Sequence, residues 1–173
     1  MKALWIVREI DNLECSSYKL STIALSYELV HSYSEDAIDL SRNDIKDGLR
    51  LAKPDLSEQS VRVIAGQIYR FSHEIKKGDF VITPIRGKDT ALLGSIVGDY
   101  TFDPKYAANF RPDLPRGYKA HTRRIKWSKK VSLFEFSGAF QRMLSHSQQT
   151  VFKPKESARN RLEEFLEVLQ SNS

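Results

Sequence analysis

Two aspartates of this chain stand where a hydrolytic enzyme could hold its acidic groups. Asp79 and Asp99 each follow a glycine at the edge of a predicted strand. A metal-dependent nuclease needs clustered carboxylates with a Glu-x-Lys element nearby, and these two aspartates do not make such a cluster. A Gly-Asp pair at a strand edge more often forms a turn in which the carboxylate bonds to the main chain. Asp99, which precedes Tyr100, keeps an alternative role at a pocket.

The sequence gives less support to a metal site, a cysteine nucleophile or a phosphate-binding loop. The four histidines, His31, His73, His121 and His146, lack the paired spacing of metal ligands. Cys15 has no neighbouring base that would activate it as a nucleophile. The glycines form no phosphate-binding loop motif. We therefore predict no catalytic residue, no metal and no cofactor, and we expect a binding module rather than an enzyme.

Positive charge is concentrated in the second half of the chain. Between Lys105 and Lys130 there are nine Lys and Arg residues, against Asp113 and the nearby Asp103. Interleaved aromatic residues favour a phosphate-contacting face over the alternative, an ordinary solvated lysine-rich surface. The residues expected to hold the nucleic-acid backbone are Arg111, Arg116, Lys119, Arg123, Arg124 and Lys126.

The composition is that of a soluble globular protein. The chain has 173 residues, of which 40% are hydrophobic and 28% charged, with a formal net charge of +5. This length can bury a core without disulfides, and the single cysteine permits no intrachain disulfide. No segment has the apolar length of a signal peptide or a membrane span. We expect a cytoplasmic protein with one domain at 1–155, followed at 156–173 by a helix that could continue into a linker.

Strand and helix patterns follow one another in the first half of the chain. Ala3–Arg8 reads as a buried strand, and Thr22–Leu29 shows the period-two alternation of a second one. Ser41 is positioned to cap a helix that ends near Pro54. Ser57 is positioned to cap another helix, in which apolar residues recur at helical spacing.

The second half is predicted to complete a sheet. Lys77–Asp79 is a turn, and Phe80–Ile85 and Ala91–Phe102 form a hairpin after it. The remaining predicted elements are a strand at His121–Leu133, a helix at Leu133–Met143, a strand at Gln149–Phe152 and an amphipathic helix at Ser157–Leu169. We expect an α+β fold, a mixed β-barrel of about six strands with helices inserted between its early and middle strands.

The strand predicted at 121–133 alternates between apolar and polar side chains. Ile125 and Trp127 are expected to point inward, and so is Val131 after a kink. Arg124 and Lys126 fall between them and are expected to point outward.

Several of these elements together resemble a known family. The motif A-G-Q-x-Y-R-F at Ala65–Phe71 precedes K-G-D-x-V-x-T-P at Lys77–Pro84 and L-x-G-x-I-x-G-D-Y at Leu92–Tyr100. R-x-x-x-W-x-x-x-V-S at Arg123–Ser132 and T-V-F at Thr150–Phe152 follow. The combination resembles the PUA-like domain, related to EVE and YTH domains, at the N-terminus of Mrr-type modification-dependent restriction endonucleases. The resemblance covers roughly residues 3 to 153.

This resemblance implies a pseudobarrel with an aromatic-walled pocket that accepts a flipped, modified nucleobase. Ala24–Tyr27 corresponds to the A-I-G-W-type second strand of the family, so Tyr27 would be the pocket wall. Tyr27 in place of Trp and Ser26 in place of Gly are departures that could change base preference or narrow the pocket. Asp103–Lys119 looks longer than usual and could be a DNA-contacting flap.

The expected pocket combines stacking walls with groups that read the edge of the base. Its candidates are the walls Trp5, Tyr27 and Tyr100, the edge-reading groups Ser26, Thr83 and Asp99, and the neighbouring Pro84 and Trp127.

The sequence thus predicts a domain that binds DNA and recognises a methylated or hydroxymethylated base by base flipping. It would be the specificity module of a modification-dependent restriction system in phage defence, and any nuclease domain would lie beyond Ser173. The alternative is an RNA-binding PUA- or YTH-like module that reads a modified ribonucleotide and uses the 2′-hydroxyl. A third hypothesis is a small hydrolase that acts on a nucleotide with Asp99 as its base.

Overall fold

The chain folds around one curled sheet. The computed structural model describes residues 2–8, 21–25, 36–106, 120–146, 149–154 and 159–171. Within them the fold is α+β, with a six-stranded mixed sheet curled into a half-barrel and four α-helices. The predicted α+β class and the mixed sheet are confirmed.

The sheet is built from neighbours that are mostly antiparallel. Its strands are β1 (Leu4–Val7), β2 (Thr22–Ala24), β3 (Phe80–Pro84), β4 (Thr90–Phe102), β5 (His121–Ser132) and β6 (Val151–Phe152). Their order is β2-β5-β4-β3-β1-β6, and among these six described strands only β1 and β3 pair in parallel. β2 and β6 are therefore the edges of the sheet, which stays open in the part of the chain that the structure describes.

Four α-helices accompany the sheet in the described ranges. They are α1 (Arg42–Ala52), α2 (Glu58–Tyr69), α3 (Gly138–His146) and α4 (Arg159–Gln170). A parallel strand pair needs a long crossover connection, and α1 and α2 lie in the connection between β1 and β3. The predicted insertion of two helices between the early and middle strands is confirmed.

Side-chain hydrogen bonds set the starts of the first two helices. Ser41 forms a capping box with Asp44, in which each side chain bonds to the main chain of the other residue. Ser57 Oγ accepts from the Ser60 N–H at the start of α2. Beyond α2 the helix widens into a π-helical turn at Arg70–Glu74, which periodicity alone does not predict.

The structure divides the helix predicted at 133–143 into two pieces. Ser132 caps a short 3-10 turn at Leu133–Glu135, and the Ser137 side chain then accepts from the Phe140 N–H at the start of α3. Ser132 ends β5 and starts the 3-10 turn, and Ser137 follows that turn and starts α3, because a serine hydroxyl accepts from nearby main-chain N–H groups. The α-helix consequently begins at Gly138 rather than at Leu133.

The sheet is covered on both of its faces. Along β1, Trp5 and Val7 belong to a core that includes residues of α1 and α2. Leu4 and Ile6 point the other way, into a core that includes residues of α3 and α4. We call these the front face and the back face of the sheet. Both sides of β1 are therefore buried against apolar residues, which explains its continuous hydrophobic run.

One buried carboxylate joins the two parallel strands. Asp79 accepts hydrogen bonds from the Trp5 indole N–H (2.9 Å), the Ala3 main-chain N–H (2.9 Å) and the Lys76 main-chain N–H (3.0 Å). Gly78, with φ +87°, takes the left-handed conformation that the preceding turn requires. Asp79 thus has the turn role expected of a Gly-Asp pair, and it also fixes the start of β1 against the start of β3.

Replacing Asp79 by alanine should lower the free energy of unfolding by about 3 kcal/mol, because the buried Trp5 indole N–H and two part-buried main-chain N–H groups lose their acceptor. Urea denaturation followed by tryptophan fluorescence measures this change. Asp99→Ala, in the second Gly-Asp pair, is the matched control and should shift stability by less than about 0.5 kcal/mol. Equal losses in the two variants would contradict the role assigned to Asp79.

Candidate nucleic-acid interface

Paired residues on neighbouring strands form a row across the front face, with Trp5 at one end and Trp127 at the other. The strand registers place Trp5 opposite Val81, Val81 opposite Gly94, and Gly94 opposite Trp127. A Cβ on Gly94 would lie 2.7 Å from the Lys126 carbonyl oxygen and 3.0 Å from the Trp127 ring. The missing side chain therefore lets Trp127 lie against the sheet, where it is half-buried.

Trp5 and Trp127 differ in exposure. The Trp5 side chain is fully buried, its indole N–H is bound by Asp79, and the Lys153 Nζ lies 4.4 Å from its ring centroid. The ring is packed as a core residue, so a base could stack on it only after this packing opened. Its assignment as a pocket wall stays a prediction, whereas the half-buried Trp127 already reaches the surface.

The front face also carries two buried threonine hydroxyls. Thr83 pairs with Leu92, which makes Thr90 its diagonal neighbour on the adjacent strand. The Oγ1 atoms of Thr83 and Thr90 are buried and have no hydrogen-bond partner among the described residues. A buried hydroxyl normally has a partner, so Thr83 keeps hydrogen-bonding capacity, as its predicted edge-reading role requires. Thr90 was not predicted, since its orientation depends on the strand register.

Tyr100 lies in a cluster of aromatic residues at one end of β4 and β5. Its ring is half-buried, stacked near His121 at 6.0 Å between centroids and edge-on to Phe71 at 6.5 Å. The hydroxyl accepts from the Ala37 N–H (3.2 Å) and contacts His121 Nδ1 (2.8 Å). Phe102 packs against His121 from the other side. The hydroxyl is thus committed to the fold, and only the exposed part of the ring could meet a ligand.

The structure separates Asp99 from the other pocket candidates. A register shift between Ile96 and Tyr100 leaves Asp99 in a bulge of β4. Its side chain is 79% exposed and pairs with Lys77 at 2.6 Å. The hydrogen bond from Lys77 holds the pKa of this carboxyl below its ordinary value. Asp99 is therefore a solvated carboxylate, which gives no support to its roles in edge reading or as a catalytic base.

Three further predictions concern residues elsewhere. Pro84 follows Thr83 but faces the back of the sheet, where it lines a separate pocket. Ser26 and Tyr27 lie outside the described residues. The described structure therefore brings Trp5, Thr83, Tyr100 and Trp127 to the front face and places Asp99 and Pro84 away from it.

Arg123 is a correction to the predicted phosphate-binding set. It is buried, with 4% of its surface exposed. Its Nε donates to the Phe71 carbonyl (2.7 Å) and its Nη2 to the Ser72 carbonyl (2.8 Å), both in the π-helical turn. Burial lowers the pKa of Arg123 to about 10. The period-two alternation that places Ile125 inward also places Arg123 inward, and that signal could have identified it from the sequence.

Lys129 is another cation of the basic cluster that serves the fold. Its Nζ donates to the main-chain carbonyls of Val168 (3.0 Å) and Ser171 (2.7 Å) at the end of α4. A cation satisfies the exposed carbonyls at a helix C-terminus. Lys129 therefore fastens α4 to β5.

Arg124 and Lys126 are exposed on the back face, as their alternation predicts. Lys126 pairs with Ser95, which in turn pairs with Phe80. The Lys2 Nζ lies 5.3 Å from the Phe80 ring centroid. Neighbouring strands are about 4.8 Å apart, so Lys126 and Phe80 are about 10 Å apart across the sheet. Lys2, which lies over the Phe80 ring, adds a further cation to this surface.

The second row of this surface runs beside the first. Arg124 lies across Gly98, where a Cβ would be 2.8 Å from the Arg124 Cβ. The Gly78 N–H donates to the Ile96 carbonyl at 2.8 Å. Lys77, which precedes Gly78, therefore lies beside the same part of β4 as Arg124. We call the surface formed by Lys2, Lys77, Arg124 and Lys126 the basic face. Asp99 is its acidic neighbour, and Arg111, Arg116 and Lys119 of the predicted set lie outside the described residues.

The described ranges contain neither a cluster of metal ligands nor a membrane-spanning helix. No three or more His, Cys, Asp or Glu side chains are grouped there to hold a metal ion. None of the helices in this part of the chain is long and apolar enough to cross a membrane.

The fold and this surface define an α+β half-barrel domain with a basic sheet face. The chain belongs to the family described as Domain of unknown function (DUF8426), which matches residues 12–155. No curated protein matches the sequence. The matched range contains β2 to β6 and helices α1 to α3, and with them Lys77, Arg124 and Lys126.

Arg123→Lys should lower the free energy of unfolding by about 2–4 kcal/mol, because an ammonium group cannot donate to two carbonyls with the fork geometry of a guanidinium. Chemical denaturation measures the change. Arg124→Lys, one position along the same strand, should remain within about 0.5 kcal/mol of wild type. A neutral result for Arg123→Lys would show that its buried hydrogen bonds do not stabilise the fold.

Proposed function

We propose that this domain binds DNA and recognises a modified base, as the specificity module of a modification-dependent restriction system. The observation that carries the DNA-binding part is the basic face, where four exposed cations from three parts of the chain meet beside one carboxylate. Cations grouped in this way release condensed counterions when they neutralise phosphates, which favours binding to nucleic acid of any sequence.

The arrangement of the basic face suits a contact with the backbone rather than with base edges. Arg124 and Lys126 are two residues apart on β5, about 7 Å along the strand. Their long side chains extend from a rigid sheet, whereas Lys2 and Lys77 approach from β1 and from the turn before β3. Phosphate contacts position a duplex but carry no sequence information, so discrimination requires a second site.

The base-reading part rests on the resemblance to PUA-like domains and on the composition of the front face. A flipped base needs stacking surfaces and hydrogen-bonding groups inside a pocket. The half-buried Trp127 offers a ring, and Thr83 and Thr90 offer unpartnered hydroxyls. Tyr27, which stands at the position of the aromatic pocket wall in PUA-like domains, would supply the main stacking surface. A methylated or hydroxymethylated base is the class of ligand that we propose for this site.

The double variant Arg124→Ala/Lys126→Ala should bind a DNA duplex at least 10-fold more weakly at low salt. Its plot of log affinity against log salt should also be shallower by about 1.8, since each lost phosphate contact removes about 0.9 from the slope. Fluorescence anisotropy across a salt series measures both quantities. Lys46→Ala/Lys53→Ala, which removes a half-buried lysine of α1 and the exposed lysine at its C-cap, is the charge-matched control. Identical slopes in the two double variants would refute the basic face as the DNA contact.

Tyr27→Ala should abolish the preference for a modified over an unmodified duplex while preserving the binding that phosphate contacts supply. Loss of one stacking wall is worth about 1–3 kcal/mol per base, which corresponds to a loss of roughly 5-fold to 150-fold in discrimination. Paired anisotropy titrations measure it, with circular dichroism as the control for folding. Equal wild-type affinities for the two duplexes would sink the base-reading proposal, and stronger competition by a matched RNA would favour the RNA-binding alternative.

A further inference from the structure

A polar row of residues lies beside the row that joins the two tryptophans on the front face. The strand registers place Thr83 opposite Leu92 and Leu92 opposite Lys130. Residues that share one face of a strand are about 7 Å apart along it, so this row directly follows the one that ends at Trp127. Thr83 is buried and Lys130 is exposed. The polar row therefore leads from the interior to the surface.

Thr90 extends this polar surface toward the hairpin loop. It lies two residues before Leu92 on β4, so its side chain is on the same face. The Ile85 N–H donates to the Thr90 carbonyl at 2.9 Å, which makes Thr90 the diagonal neighbour of Thr83. The Cβ atoms of such a pair are about 7 Å apart. A small polar group placed between the two side chains can hydrogen-bond to both hydroxyls.

Both hydroxyls are buried and unpaired in the free protein. Thr83 is 1% exposed, and the Oγ1 atoms of Thr83 and Thr90 are shielded from solvent without a hydrogen-bond partner in the described ranges. Thr122 on β5 shows the usual arrangement, since its hydroxyl donates to the Thr101 carbonyl at 3.1 Å. An unpaired buried hydroxyl lowers the stability of the fold, and a ligand that pairs with it recovers this free energy.

The packing of the sheet gives no reason for a hydroxyl at position 83. Val81, two residues earlier on the same face of β3, belongs to the front core. A valine at position 83 would present a similar shape without a group that needs a hydrogen bond. The threonine side chain is thus better suited to a polar ligand than to the apolar core.

The aromatic ring and the threonines are close enough to contact one base. The Trp127 ring lies against Gly94, where a Cβ would be 3.0 Å from it. Gly94 and Thr83 are one strand and two residues apart, which corresponds to about 8 Å. A base that stacks on Trp127 can therefore direct a substituent toward Thr83 and Thr90.

We propose that this site reads a base whose modifying group carries a hydroxyl, with hydroxymethyl as the smallest example, and that Thr83 and Thr90 discriminate against the methylated base. The inference rests on the proposed base reading and names the class of modification. A hydroxymethyl oxygen can accept from one threonine and donate to the other, whereas a methyl group leaves both hydroxyls unpaired. A site that pairs with a hydroxyl of its ligand strongly rejects the analogue without it.

Fluorescence anisotropy with duplexes that differ at one base tests this selectivity. One set carries 5-hydroxymethylcytosine, 5-methylcytosine or cytosine, and a second pair carries 5-hydroxymethyluracil or thymine. In at least one set, the hydroxymethylated duplex should bind about 10-fold or more tightly than the methylated one. Equal or tighter binding of the methylated duplex in both sets overturns the inference.

The same titrations separate this inference from the function on which it rests. Tighter binding of 5-methylcytosine than of cytosine, without an advantage for either hydroxymethylated base, would retain base reading and refute the selectivity alone. Equal binding of all five duplexes would refute base reading and the selectivity together.

The variant Thr83→Val/Thr90→Val tests whether the two hydroxyls cause the selectivity. It should abolish the advantage of the hydroxymethylated duplex, while stability in urea denaturation stays unchanged or rises because no hydrogen bond is lost. Thr83→Ser/Thr90→Ser keeps both hydroxyls and should keep the advantage. Thr101→Val, at an exposed threonine of β4, is the matched control and should leave it unchanged.

Two results for the double valine variant would overturn the role of these threonines. One is an undiminished preference for the hydroxymethylated duplex with a native circular dichroism spectrum. The other is a loss of stability, which would show that the hydroxyls serve the fold rather than a ligand.

Discussion

The hydrogen bonds of the Asp79 carboxylate are the constraint on which the two faces of the sheet depend. They join the Trp5 indole and the Ala3 main chain at the start of β1 to the turn that begins β3. β1 and β3 pair in parallel, so no tight hairpin sets their register. With this pair fixed, Trp5 and Val81 align on the front face and Leu4 and Phe80 on the back.

Irregularities in β4 determine what each face presents. The shift between Ile96 and Tyr100 sends Asp99 into solvent and brings Gly98 beneath Arg124. Tyr100 then re-enters the front core beside Phe71 and His121. A regular strand would alternate without this interruption. The bulge thus contributes both to the aromatic cluster and to the basic face.

The basic face lies on the back of the sheet and is open and solvated, which suits the sequence-independent attraction of a polyanion. The front face carries the candidate base-reading groups, with α1 and α2 packed on the same side. Each site can therefore be altered by substitutions that leave the other intact.

Local patterns in the sequence determined the elements, because caps and alternation act over a few residues. Ser41 and Ser57 marked two helix starts, and the alternation along β5 placed Ile125 inward and Arg124 outward. The tertiary structure alone decided which cations remain on the surface and which, like Lys129 at the end of α4, serve the fold. It also paired Thr83 with Leu92 beside Thr90. These relations join residues distant in sequence, and no local pattern encodes the strand register and bulges that bring them together.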